Sequence, residues 1–409
     1  MDSIHPPTPA IYNHGYNHLR WLMPMPKPSP SPLLRTLTAQ LPEMVSTLRR
    51  YVEHESPSAA PEAIAALVSL VALDFAALNP RTRLHKFPGL GPALQIEFSA
   101  PRRSPRILLL GHTDTVFPIG TLAAMPWRER GPRLYGPGTF DMKAGIVQAL
   151  FALRALVARG PLPCHVTLLL VPDEEIGSPA SHPLTRRLAL ASRAVLVLEP
   201  AAGPEGACKT ARKGVARYTI RVRGHATHAG LDFERGASAI VEAAHQVLAI
   251  SELSRPARGL TLNPGLISGG SRSNVVAAHA EVVVDLRFRT APQAARADAA
   301  LHRLRPCDPR CRLELHGGVE RPPFERSPQT VRLYRLASHC AAQLGFSLAE
   351  AAVGGGSDGN LTASLGVPTL DGLGAVGDHA HSPNEFVLAR HMPRRAALLA
   401  HLIESLSQA

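Results

Sequence analysis

Hydrophobic and polar positions follow two different rhythms along this chain. In the first half, unbroken apolar runs are separated by helical stretches. Ile107-Leu108-Leu109-Leu110-Gly111 leads into His112, and Val166-Thr167-Leu168-Leu169-Leu170-Val171 leads into Pro172-Asp173-Glu174-Glu175. A third run, Ala194-Val195-Leu196-Val197-Leu198, leads into Glu199-Pro200. Runs apolar on both faces read as buried strands of a mainly parallel sheet. Helical patterns flank them. One spans Pro61 to about Leu78, with Ser58 and Pro61 as start signals; another spans Ala144 to Arg159, ended by Gly160-Pro161; a shorter one lies around Leu184 to Leu190. Gly131 to Phe140, rich in Gly and Pro, reads as irregular. Strands and helices in alternation predict an open α/β sheet.

After about Ala211 the period changes. Tyr218 to Arg223 and Ala280 to Arg289 alternate apolar with polar, as strands with one solvent face do. Helical patterns at Ala237 to about Leu253 and Pro292 to Leu304 accompany them, with a turn at Asn263-Pro264. Together they describe a small α+β sandwich with one open sheet face. From about Phe324 the buried type returns, with helices Gln329 to Leu344 and Pro393 to Leu406. The predicted organisation is an α/β domain of residues 34–211 and 324–409, interrupted by an α+β domain of residues 212–323. Residues 1–33 read as a disordered, Pro-rich extension.

The composition is that of an ordinary globular chain: 409 residues, 45% hydrophobic, mean hydropathy +0.00. No segment approaches the roughly 18 consecutive apolar residues of a membrane span. The start of the chain lacks the apolar core of a secretory signal, so a cytoplasmic location is expected. A net charge of +12, from 44 Lys and Arg against 32 Asp and Glu, raises nucleic-acid binding or an anionic substrate. The arginines are dispersed instead of forming a basic run, and a pocket of acidic ligands repels a phosphate backbone. Neither a nucleic-acid nor a membrane partner is expected. Five cysteines, an odd number, argue against a disulfide framework. Cys307 and Cys311 have no second pair to make a zinc knuckle and read as surface thiols near a turn.

Ligands of open α/β sheets gather beyond the carboxyl ends of the strands. His112, the Glu174-Glu175 pair and Glu199 would therefore meet at one edge. Asp114, two residues past His112, is placed to orient its imidazole, as a carboxylate beside a metal-bound histidine does. Asp141, in Gly136-Pro137-Gly138-Thr139-Phe140-Asp141-Met142-Lys143, ends a Gly-rich loop before a helix. Such a carboxylate either caps the helix or bridges two cations, which two-metal hydrolases hold roughly 3.5–4 Å apart. Of the adjacent acids, one ligates a metal while its neighbour serves as general base. His381, in Gly377 to Glu385, completes the set, with His379 an alternative. Zinc accepts histidine nitrogen and carboxylate oxygen together.

These segments resemble the M20 metallopeptidase family, and within it the glutamate carboxypeptidase (carboxypeptidase G2-like) branch. The matching pieces are Gly111-His112-Thr113-Asp114, Gly136 to Lys143, Asp173 to Ser178 and Leu198-Glu199-Pro200. Gly224 to Gly230, Ser273-Asn274-Val275-Val276, Gly354 to Asp358 and His381-Ser382 follow in order. The resemblance implies that Asp141 bridges two zinc ions, with cobalt or manganese as substitutes. His112 and Glu199 complete one ion's ligands, Glu175 and His381 the other's, and Glu174 is the catalytic base. It also implies that the inserted segment is a lid through which two subunits pair, with His228 stabilising the oxyanion in the partner's site. Asn274 and Arg287 would hold the substrate's carboxylate, for which the guanidinium fork of Arg287 is suited, and Gly356 would let backbone approach the substrate. The activity implied is release of a C-terminal amino acid, glutamate foremost, from a dipeptide, N-acyl amino acid or folate-like substrate. A deacylase of the acetylornithine or succinyl-diaminopimelate type is the alternative.

Overall fold

The computed structural model describes residues 31–408. They divide into two compact units. One takes in the described residues up to Ala211 with Arg326–Val353 and Ser357 onward; the other is Arg212–Glu325 with Gly354–Gly356.

The first unit is built on a six-stranded sheet, in the order Arg81–His85, Ala93–Phe98, His165–Val171, Arg106–His112, Ala194–Val197, Thr369–Leu370. The last four run parallel, and the first two add an antiparallel edge. Side chains of Arg106–His112 alternate between two apolar layers. Ile107 and Leu109 join the larger core with Phe151, Leu398 and Leu399, while Leu108 and Leu110 pack with Leu184 and Ala189 on the other face. Burial on both faces explains why these strands are unbroken apolar runs. Register then sets the site. His112 stands opposite Val171 and Leu110 opposite Val197, so His112, the Asp173–Glu175 turn and Glu199 leave the sheet at one level.

Several segments differ from expectation. Two amphipathic helices, Pro32–Ala39 and Leu41–Val52, pack Leu37, Met44, Leu48 and Tyr51 into the larger core. The first begins inside the range read as an extension: Ser31 Oγ accepts the Leu34 amide at 3.2 Å, and Pro32 occupies the first turn. The remainder of that range, residues 1–30, lies outside the described residues. The Gly131 to Phe140 stretch is not wholly irregular, because Arg128–Arg130 and Arg133–Tyr135 pair as a hairpin about Gly131, whose φ is 56°. Asn263-Pro264 is not a turn but part of the strand Thr261–Gly269. That strand tolerates proline because it lies at a sheet edge and carries a register shift at Pro264/Leu266.

The second unit is a four-stranded antiparallel sheet in the order Thr261–Gly269, His279–Phe288, Gly214–Arg223, Arg312–Arg321. Tyr218, Ile220, Val222, Val282, Val284 and Leu286 form its buried face with residues of the helices Ala239–Ser251 and Ala291–His302. The opposite face carries cross-strand ion pairs such as Arg221–Glu281. All five cysteines are free, and Cys311 is buried in this core, so only Cys307 is a surface thiol.

Candidate metal centre

His112 ends its strand 1% exposed. Its Nδ1 lies 2.9 Å from the main-chain carbonyl oxygen of Asp114, which can only accept. The proton therefore sits on Nδ1, and Nε2 is left as a ligand atom. That Nε2 is 3.1 Å from Asp141 Oδ1 and 3.4 Å from Glu199 Oε1. The other oxygen of Asp141 faces a different histidine, since His381 Nε2 is 3.3 Å from Asp141 Oδ2 and 3.2 Å from Glu175 Oε2. Two triads result, His112–Asp141–Glu199 and Asp141–Glu175–His381, with Asp141 shared.

Both triads fit divalent cations. A tetrahedral ion with bonds of about 2.0–2.1 Å to N and O sets its ligand atoms about 3.3–3.4 Å apart. The four His–carboxylate separations span 3.1–3.4 Å. Glu175 Oε1 is in addition buried with no hydrogen-bond partner, which is costly for a carboxylate oxygen unless a cation meets it. The first triad is the deeper one; in the second, the His381 side chain is 50% exposed, so the centre opens on the His381 side.

The electrostatics describe a site that draws in positive charge. Burial disfavours a charged His112, yet hydrogen bonds to Asp114, Asp141 and Glu199 hold it well above the usual imidazole range. His381 is pushed up to about 10 by Asp141 and then Glu175. Burial raises Glu175, whereas the two imidazoles overcome burial at Asp141 and draw it far below the carboxylate range. The clustered carboxylates thus favour the protonated form of both imidazoles, and a metal ion would compete with that proton at each Nε2.

The surrounding loops explain how the candidate ligands are presented. The π-type segment Thr139–Lys143 carries Asp141 with non-helical dihedrals, and the following helix starts at Ala144, so Asp141 is not its cap. Gly138 has φ 70°, and a Cβ there would lie 2.6 Å from Thr115 Cγ2, so only glycine fits. Asp114 does more than orient His112. Its Oδ1 accepts the Glu174 amide and its Oδ2 accepts the Glu175 amide and the Ser58 hydroxyl, at 3.2, 3.1 and 2.7 Å. Glu174 is half-buried in the short turn Glu174–Ile176, beside the candidate ligand Glu175. Asp173, the third acid of that triplet, is buried and binds the amides of Ala180 and Ser181, so it serves the fold. His379 points to no ligand cluster among the described residues; it and His381 both have positive φ, 65° and 62°.

Two supporting residues were not marked by the sequence pattern. Glu385 is wholly buried and accepts the amides of Gly138, Phe140 and Asp141; burial pushes its carboxyl up to about 7. Lys143, also buried, donates to the His54 carbonyl oxygen at 2.8 Å, and burial pushes it down to about 7 against the pull of Glu385 and Glu55. Glu385 lies four residues beyond His381, but nothing in its local sequence separates it from a solvated acid.

The remaining named residues belong to the second unit. His228 and Asn274 are exposed neighbours, because His228 bridges Val275 and the Ala229 amide donates to the Asn274 carbonyl oxygen at 3.0 Å. His228 Nδ1 accepts the Gly230 amide at 3.1 Å, which leaves Nε2–H as a donor. The Arg287 fork is occupied by Asp285, at 2.7 and 2.9 Å. Gly356 offers its carbonyl oxygen to Arg212 at 3.1 Å.

Residues 108–405 match the model of peptidase family M20/M25/M40. The chain belongs to the M20 family. It is 30% identical over 383 residues to Carboxypeptidase G2 of Pseudomonas sp. (strain RS-16), covering 91% of this chain and 92% of that one. Over 267 residues, 60% of this chain and 68% of the relative, it is also 30% identical to Acetylornithine deacetylase of Salmonella typhimurium. The solved aminopeptidase PepT of Bacillus cereus shares its fold, with a TM-score of 0.76 at 22% identity over 90% of this chain and 98% of that one. These likenesses bear out the resemblance read from the motifs. This M20 chain is a metal-dependent hydrolase of the metallopeptidase type, and no helix among its described residues is long and apolar enough to cross a membrane.

Proposed function

We propose that this M20 hydrolase cleaves an amide bond next to a free carboxylate, releasing a C-terminal amino acid, glutamate foremost, from a dipeptide, N-acyl amino acid or folate-like substrate. One observation carries the proposal: the two oxygens of Asp141 divide between two triads in a chain alike to Carboxypeptidase G2 over 91% of its length. His112, Asp141 and Glu199 would hold one ion, and Asp141, Glu175 and His381 a second. Zinc is the ion we assign, on the mixed nitrogen and oxygen donors and the short ligand separations. Bound there, two such ions would polarise the scissile carbonyl and favour deprotonation of water at neutral pH. Glu174 takes the proton of the attacking water and returns it to the leaving amine. Asp114 holds both the Glu174 and Glu175 amides and thereby keeps base and ligand at a fixed offset.

The quaternary proposal is a homodimer formed through the second unit, in which His228 of each subunit donates Nε2–H to the oxyanion in the other's site. Exposed Leu266 and Ile267 on the edge strand Thr261–Gly269, and exposed Val241 and Leu248 on the helix Ala239–Ser251, support an interface there. Asn274, Arg287 and the Gly356 backbone are proposed to hold the substrate carboxylate, which Arg287 would bind in exchange for Asp285. Five free thiols support a reducing, cytoplasmic setting.

The likeness to Acetylornithine deacetylase supports a second reading, an N-acyl amino acid deacylase. Zinc-reconstituted protein assayed against dipeptides and N-acyl derivatives of glutamate, beside N-acetylornithine, separates the two. Release of glutamate is the expected result. Turnover of N-acetylornithine alone would establish the deacylase, and protein that takes up no metal would overturn both.

A further inference from the structure

We propose that Glu385 is a positioning residue for the metal centre: its carboxylate clamps the loop that presents Asp141 to both triads and ties that loop to the segment carrying His381. The inference rests on the two-triad reading of the centre and goes beyond it to a residue that touches no ion.

Three observations carry it. Glu385 is 0% exposed, so its oxygens have no bulk solvent to bind. Its two oxygens are spent on three amides of one loop: Oε1 accepts Phe140 N–H at 2.7 Å and Asp141 N–H at 3.0 Å, and Oε2 accepts Gly138 N–H at 3.1 Å. One of those amides is that of Asp141 itself, the ligand common to both triads. The Thr139–Lys143 segment has non-helical dihedrals at Asp141 and Met142, and its main-chain bonds, Lys143 N–H to the Gly138 carbonyl oxygen and Ala144 N–H to the Thr139 carbonyl oxygen, leave the Phe140 and Asp141 amides to other acceptors. The Glu385 carboxyl is the acceptor they find. Because Glu385 follows His381 by four residues, and its own amide donates to the Ser382 carbonyl oxygen at 3.0 Å, one side chain couples two ligand-bearing segments. Outer-shell partners of metal ligands typically govern affinity by about 10–100-fold.

Glu385→Gln is nearly isosteric and tests the clamp through its chemistry. The amide oxygen can still receive two N–H groups, but the NH2 then meets the Gly138 N–H, donor against donor. Full-length protein is loaded with zinc, metal content is measured, and zinc release to a chelator is timed; cobalt-loaded protein is scanned for its d–d absorption, which reports ligand geometry. The matched control is Glu242→Gln in the second unit, where a buried carboxylate likewise accepts backbone amides, those of Cys307 and Asp308. Expected for Glu385→Gln are about 10–100-fold weaker zinc retention and an altered cobalt spectrum, while Glu242→Gln lowers the melting temperature and leaves both metal readouts unchanged. Wild-type zinc retention and cobalt spectrum in Glu385→Gln would overturn the proposal. If Glu385→Gln fails to fold, Glu385→Asp replaces it, and loss of the fold in both would assign Glu385 to folding alone and overturn positioning. Wild-type protein that binds no zinc would instead overturn the two-triad reading.

Discussion

Asp114 Oδ2 accepts the Glu175 amide at 3.1 Å, while the Asp114 carbonyl oxygen holds His112 Nδ1 at 2.9 Å. One residue thus sets a ligand of each triad, His112 through its main chain and Glu175 through its side chain. The two neighbouring strands end level by register, and Asp114 turns that level ending into a fixed spacing between ligands.

Asp114→Asn leaves the carbonyl contact to His112 intact but replaces one carboxylate oxygen with an NH2 facing amide or hydroxyl donors. A buried unsatisfied donor of this kind costs about 1–3 kcal/mol. The expected outcome is a lower melting temperature together with about 10–100-fold weaker metal binding by chelator competition. Unchanged metal affinity would show that the His112 contact alone sustains the centre.

Asp141 is the residue both triads share, so its removal differs in kind from removal of any other. Zinc content measured by mass spectrometry is expected near two per chain in the wild type and near one in His381→Ala, where His112, Asp141 and Glu199 remain. In Asp141→Ala neither triad retains three ligands, and content is expected to fall below one. Thermal melts should follow the same order, since each ion bound only by the folded state adds stability, the more so the tighter it binds. Equal zinc content in the wild type and Asp141→Ala would dismiss a shared ligand.

Much of this centre was legible in residue pattern. A strand buried on both faces has to be apolar throughout, so the polar residue that ends it is conspicuous; His112 and Glu199 were visible on that ground, and the βα alternation placed them at one sheet edge. Asp141 was visible as a carboxylate after glycines, although cap and ligand could not be separated until its dihedrals were known. Glu385 was invisible, because burial of an acid is decided by three amides more than two hundred residues away in the chain. The carboxylate of Asp114 reads from the sequence as the partner of His112, and its Oδ1 lies 3.4 Å from His112 Nδ1; its bonds to the Glu174 and Glu175 amides were not legible, because they are contacts between strand ends that no local spacing encodes. The edge strand Arg81–His85 was missed because four of its five residues are exposed, which removes the apolar signal.

Glu174→Gln removes the proposed base but none of the proposed ligands. Zinc content and melting temperature are expected to match the wild type, with kcat reduced by about 10²–10⁴-fold, the usual scale of general acid–base catalysis. Wild-type turnover in this variant would reassign the proton transfer to another group.

Gly145 tests how closely the first helix after Asp141 must approach the strand that ends in Glu199. A Cβ at this position would lie 2.3 Å from the Leu198 carbonyl oxygen and 3.1 Å from Met142 Cε. On propensity alone, Gly145→Ala should stabilise the helix Ala144–Val157 by about 1 kcal/mol. The overlap is with backbone, which cannot rotate away, and forced overpacking costs about 1–3 kcal/mol or more. The contact should win, so a net fall in melting temperature is expected, of about 2–4 °C per kcal/mol lost for a unit of this size. Because Leu198 immediately precedes Glu199 and Met142 immediately follows Asp141, the displacement would also separate two residues of the first triad. Zinc retention should therefore weaken in Gly145→Ala along with stability. A rise in melting temperature with unchanged zinc retention would mean that helix propensity, and not the approach to Leu198, governs this position.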